Sequence, residues 1–283
     1  MRDVSVRTGA TTAPKASYAE ESASSDARCN TALAEILAQL GTVGRDRDYL
    51  MSMPRICTYF YLLGSWLEDE PFRKDVTHAI CLHNFGIKLL DDVVDDDVPC
   101  SSGALAVVGS LLCEEAYVEF SKAGVAADYF LFRPRAFVPL WRDQFELDNL
   151  QAESLEEWRT FSQLRICRLL VFYSGFLGSL KSHILDPATT ARVFDAIGDV
   201  WTIFDDCRDK AKDRKATGNR HANLALLVER GAVAREDALA LLEERYEFVR
   251  RIVAETPPPL DFFPFFEDVV ERSRQALSAQ DGS

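Results

Sequence analysis

The stretch Leu89-Leu90-Asp91-Asp92-Val93-Val94-Asp95-Asp96-Asp97-Val98-Pro99 sets how the rest of the chain is read. It crowds five carboxylates into seven residues, directly after an apolar segment, Ala79 to Leu90, of helical character. On a helix, Asp91, Asp92, Asp95 and Asp96 fall at i, i+3 and i+4 spacings and share one face. Like charges that close repel, and the negative end of the helix dipole adds to the penalty. A hard divalent cation relieves both, and Mg²⁺ in particular takes a few carboxylates together with phosphate oxygens. The same acids would also suit a solvated helix end. A second acidic cluster downstream favours the cation.

The totals narrow the possible partners. The chain has 283 residues, 47% of them hydrophobic, with 45 acidic against 32 basic residues and a net charge of −13. Such an acidic balance excludes nucleic acid as the main partner, because phosphate backbones require a basic surface. A small anionic substrate stays compatible if metal ions supply local positive charge. Seven cysteines, at 29, 57, 81, 100, 113, 167 and 207, show no CxxC pairing and read as free thiols of a reducing compartment. No apolar run approaches the roughly 18 residues of a membrane span. Residues 1–28 are rich in Ala, Ser and Thr, lack the apolar centre of a signal peptide and read as a disordered leader. The expected setting is the cytoplasm.

From Cys29 onward the chain reads as one all-α domain, 29–283. Helices are expected at Thr31–Leu40, Asp48–Glu68, Pro71 to the Pro99 stop, Ala104–Lys122 after a Ser101 or Ser102 cap, and Val138–Gln151. Ser154 with Glu157 forms a capping box for a long helix, Leu155–His183. Asp186-Pro187 opens another, to Lys212; then come Ala222–Glu229, Arg235–Glu255, the Pro257–Pro259 break and Phe265–Leu277. Long apolar helices left over after one core is filled suggest a homodimer.

The second cluster, Asp205-Asp206-Cys207-Arg208-Asp209, again follows an apolar run, Val200 to Phe204. Asp205 and Asp209 are four apart, Asp206 and Asp209 three, so one face carries the acids. Here they alternate with Arg208, Lys210, Lys212, Arg214, Lys215 and Arg220, a pattern that alone also describes a salt-bridged surface helix. Taken with the first cluster, it describes two acidic faces that can hold Mg²⁺ ions against a diphosphate.

This arrangement resembles the class I isoprenoid synthases, the superfamily of trans-prenyltransferases and terpene cyclases. Asp91 to Asp97 is similar to their first aspartate-rich motif, and Phe204 to Asp213 to the second motif of the prenyltransferase branch. The Arg-Arg pair after the first motif and the Gly-Lys-Arg signature for isopentenyl diphosphate are missing; Gly44-Arg45, Arg47 and Arg55 come nearest. A narrower resemblance, over roughly residues 45 to 255, is to the prenyltransferases of moenomycin biosynthesis. It is carried by Lys88–Asp97, Gly218–Ala234, Asp237 and Leu241–Glu244, with Gln144, Glu157-Trp158-Arg159 and Asp205-Asp206 in the same order.

The resemblance implies a class I isoprenoid-synthase helical bundle with a central substrate cavity, and a homodimer. It also implies Mg²⁺-dependent transfer of a geranyl-like group from its diphosphate to a lipid acceptor such as farnesyl-phosphoglycerate, in antibiotic biosynthesis. The expected metal ligands are Asp91, Asp92, Asp95, Asp96, Asp205, Asp206 and Asp209. Asp91, Asp92 and Arg165 are the expected catalytic residues; Arg165, Lys215, Arg220, Gln144 and Asn219 would hold substrate. A terpene cyclase and a catalytically silent synthase subunit are the competing readings. His83 and Asn84 read as satisfied core residues. The segment Pro257 to Phe266 would pack on the bundle, cover a cavity mouth or touch a membrane surface.

Overall fold

A computed structural model describes residues 16–41, 44–53, 57–95, 99–132, 152–162, 166–214 and 222–279. Helix α1 (Tyr18–Gln39) starts on a Ser17 cap, with Glu20 and Glu21 at its positive end. Its first turns correct the reading of a disordered leader over residues 16–28; residues 1–15 lie outside the described residues. Tyr18 to Arg28 are helical, and Ala16–Ser17 (β1) pairs in parallel with Leu260–Asp261 (β2). The inward face there is Glu21, Ser22, Ser25 and Asp26, which hides the apolar period from the sequence. Polar contacts hold it instead. Arg73, itself buried, donates to Glu21 at 2.8 Å, Tyr61 donates to the same carboxylate at 3.1 Å, and Ser25 meets His78 at 3.1 Å. Burial, and then Glu21, push the Tyr61 phenol above its ordinary range.

The helix expected over Asp48–Glu68 is broken. α2 (Arg45–Ser52) stops at Met53, which is extended because Pro54 follows. Then come the short α3 (Cys57–Phe60) and a 3₁₀ turn, Tyr61–Gly64. α4 (Glu70–Asp95) begins where Asp69 accepts from Phe72 N at 2.8 Å, with Pro71 in the first turn. α5 (Ser102–Lys122) is capped by Ser101, as expected. These two helices touch backbone to backbone: a Cβ on Gly86 would lie 2.7 Å from the Gly109 carbonyl oxygen. Residues 126–132 are also helical.

Ser154 caps α6 (Leu155–Ser162), while Glu157 accepts from Glu153 N at 2.7 Å. α7 (Ile166–Gly178) ends before His183, because the chain turns there to seat Gly178 on Pro187, at the start of the next helix. α8 (Pro187–Asp213) has the expected Asp186 cap. Val193 through Ile203 are buried almost without interruption, so α8 is wrapped on all sides, by α7, α10 (Arg235–Glu255) and α11 (Phe263–Ser278). Its one buried charge in that run, Asp199, takes Arg245 at 2.8 Å. Between α8 and α10 lies α9 (Leu224–Glu229).

The Phe-rich segment packs on this bundle. Phe262 and Phe266 are fully buried, with Phe262 edge-on to Trp66 at 5.2 Å and Phe266 stacked on Trp201 at 6.1 Å. The architecture is all-α apart from the two-residue strand pair. Among the described residues no helix is long and apolar enough to cross a membrane.

Candidate active site

Three contacts fix where the acidic clusters lie. Leu67, before α4, bridges His183, after α7, and His83 in mid-α4 meets the Tyr173 hydroxyl of α7 at 2.6 Å, so these helices are antiparallel. Gly178, ending α7, sits against Pro187, opening α8, and the two helices pack extensively on one another from there, so these too are antiparallel. Hence α4 and α8 run in the same direction from the same end of the bundle. At about 1.5 Å of rise per residue, Asp91 and Asp205 each lie about 30 Å along their helices. Both acidic faces therefore reach the same end.

On α4 the carboxylates of Asp91 and Asp92 differ. Asp91 is half-buried, whereas the Asp92 side chain is only 5% exposed. Lys88, one turn earlier, meets Asp91 at 3.7 Å and Asp92 more closely still. Asn84 continues the same helical row; it donates to Ile80 O at 3.0 Å, and its buried Oδ1 has no partner among the described residues. Below it His83 is a satisfied core histidine, as expected, with Nδ1 on Tyr173 and Nε2 at 2.9 Å from the Tyr129 hydroxyl.

On α8 the acids divide more sharply. Arg208 meets Asp205 at 3.1 Å and Asp209 at 2.9 Å on the open side. Asp206, expected among the metal ligands, is turned inward. Its Oδ2 accepts from Trp158 Nε1 at 2.8 Å and from Leu224 N at 2.7 Å. Asn223 completes the anchor: Nδ2 donates to Asp206 O and to Asp213 Oδ2, both at 2.8 Å, while Oδ1 caps α9. Lys210, at 2.9 Å, and Arg214 pair with Glu229, so part of the alternating charge does form surface salt bridges.

No family model and no curated protein matches the chain. Solved structures do. One, the crystal structure of a geranyltranstransferase from Thermotoga maritima, superposes with a TM-score of 0.58 over 92% of this chain and 96% of that one, at 16% identity. The fold is that of the isoprenoid synthases.

In this isoprenoid-synthase fold the donors suit a hard cation. Asp91, Asp205 and Asp209 are partly exposed carboxylates at one end of the bundle. Cys207, beside them in sequence, offers no thiolate, since burial and then Asp206 push its thiol up to about 12. Cys100 is raised likewise, by burial and Asp46. Oxygen donors without soft sulfur fit Mg²⁺ or Mn²⁺ better than zinc. Among the described residues no three ligating side chains converge on one point. Asp95 is described by its backbone alone; Asp96, Gln144, Arg165, Lys215, Asn219 and Arg220 lie outside the described residues. Lys88, Trp158 and Asn223 were not singled out as functional residues. All three enter the sequence reading only within stretches that carry the resemblance, and nothing in one dimension links Trp158 to Asp206.

Proposed function

We propose that this chain is a Mg²⁺-dependent prenyltransferase. The observation that carries the proposal is that two acidic faces, on α4 and α8, lie at the same end of an isoprenoid-synthase fold. Asp91, Asp205 and Asp209 would hold the metal, with Asp95 and Asp96 as the remaining candidates on α4. Asp92 would join them by giving up Lys88. When bound, the metal offsets the charge of the donor's diphosphate and helps it leave as pyrophosphate. Asp206 steadies the second face from within. The allylic carbon–oxygen bond breaks, an acceptor double bond supplies the electron pair for the new carbon–carbon bond, and one proton is lost from the product.

The donor we favour is geranyl diphosphate, and the acceptor a lipid such as farnesyl-phosphoglycerate, in antibiotic biosynthesis. The missing isopentenyl diphosphate signature supports a different acceptor. A second diphosphate without a basic pocket has nothing to offset its desolvation. A lipid with its anionic head outside the bundle needs no such pocket. We further propose a cytoplasmic homodimer in peripheral contact with the membrane that supplies the lipid.

The test is mass spectrometry of products from a panel of donors and acceptors, with Mg²⁺ and with EDTA. Geranyl diphosphate with the phosphorylated farnesyl lipid should yield pyrophosphate and a product heavier by one geranyl unit. Efficient farnesyl or geranylgeranyl diphosphate formation would reassign the chain to ordinary chain elongation. A cyclic hydrocarbon from one donor alone would make it a cyclase, and inertness toward every pair a silent subunit. Full activity in EDTA would sink the metal.

A further inference from the structure

Lys88 stands one turn before the first acidic face, and its ammonium reaches both Asp91 and Asp92. The nearly buried Asp92 carboxylate requires a cation, because an uncompensated charge there is costly. Among the described residues Lys88 is the cation within ion-pair distance. Lys88 itself is 43% exposed, a long side chain able to swing away on its stem. Arg208 makes the parallel arrangement on α8, bridging Asp205 and Asp209. Each helix thus has one cation spanning two carboxylates of the kind a divalent ion would span. The pair Lys74–Glu70, at the opposite end of α4, is an exposed i, i+4 pair; Lys74 also comes within 4.0 Å of buried Glu21, but that carboxylate already has buried Arg73 at 2.8 Å.

We propose that Lys88 and Arg208 are internal counter-ions that compete with the divalent cation for these carboxylates and set the concentration at which it binds. The proposal rests on the metal reading above. A monovalent side chain and a divalent ion about 4 Å apart repel, so the metal binds only as the side chain withdraws. The bundle thereby keeps like charges on one face with the help of its own lysine and arginine, at the expense of metal affinity.

Mn²⁺ binding to the full chain, followed by loss of the free-ion EPR signal, tests this. Lys88→Met should bind Mn²⁺ roughly tenfold more tightly than wild type, the scale expected for removing one screened neighbouring charge. Arg208→Leu should gain less, because its carboxylates are more exposed. Lys88→Arg should match wild type, and so should Lys74→Met. Mn²⁺ should also raise the melting temperature of Lys88→Met more than that of wild type, a reading that survives if the variant is unstable without the ion. Equal or weaker affinity in Lys88→Met, with wild type binding normally, would overturn the competition and leave the metal reading standing. Absence of Mn²⁺ binding by wild type would overturn the metal reading and this proposal together.

Discussion

The two acidic faces look alike in sequence and are held in different ways. On α4 the inward carboxylate, Asp92, depends on a half-exposed lysine from its own helix. On α8 the inward carboxylate, Asp206, is fixed by neutral donors from elsewhere, Trp158 on α6 and the Leu224 amide opening α9, with Asn223 bound to its backbone. A lysine can withdraw without unpacking the core; an indole wedged at zero exposure cannot. The first face can therefore release its lysine without unpacking, as the proposed exchange for a metal ion requires. The second spends one of its acids on architecture and leaves Asp205 and Asp209 outward. Equivalent positions in two similar motifs need not do equivalent work.

The strongest way to break this comparison is to neutralise the outward and inward acids of α8 separately. Asp205→Asn should cut product formation by on the order of 10³-fold, as loss of a charge-stabilising group does, with the urea midpoint unchanged. Asp206→Asn should instead cost about 1–3 kcal/mol of stability, because a buried charged acceptor of two hydrogen bonds is lost. If Asp206→Asn kept its stability and lost only activity, the anchor would be a ligand after all.

A smaller effect separates the parts of the anchor. Trp158→Phe keeps the ring packing and removes the donor, so it should destabilise by about 1–2 kcal/mol. Asn223→Ser retains a cap for α9 but drops both donated bonds, and Asn223→Ala should cost about 1 kcal/mol more through the missing cap. Equal stabilities for the Ser and Ala variants would remove the capping role.

Alkaline pH probes buried protons near both faces, Cys207 on α8 and Tyr173 beneath α4. Cys207 is pushed up to about 12, and burial holds the Tyr173 phenol well above its ordinary range. The folded chain thus keeps protons that the unfolded chain releases. Stability is full below the ordinary thiol value of about 9 and is lost as pH rises from there toward about 12. Urea midpoints should fall between pH 8 and pH 10, and fall less in Cys207→Ala. The smallest signal is chemical: at pH 8 iodoacetamide should leave Cys207 unmodified in the folded chain and label it in urea, read by peptide mass spectrometry.

Asp91, Asp92, Asp205, Asp206 and Asp209 were visible in the chain because charges at helical spacing announce a shared face without any partner. The caps at Ser101, Ser154 and Asp186 were visible for a similar reason, since a cap acts within three residues. The start of α1 was not, because its inward Glu21 and Ser25 are satisfied by Arg73, Tyr61 and His78, all on later elements.

Local spacing and helical period thus carried the all-α class, most helix boundaries and the two acidic faces. Folding in three dimensions settled which carboxylates look outward. Helical periodicity places a side chain on a face, but whether that face meets solvent, a lysine or an indole depends on contacts between residues far apart in the chain. Asp206 meets Trp158 across 48 positions, a separation over which composition and period carry no signal.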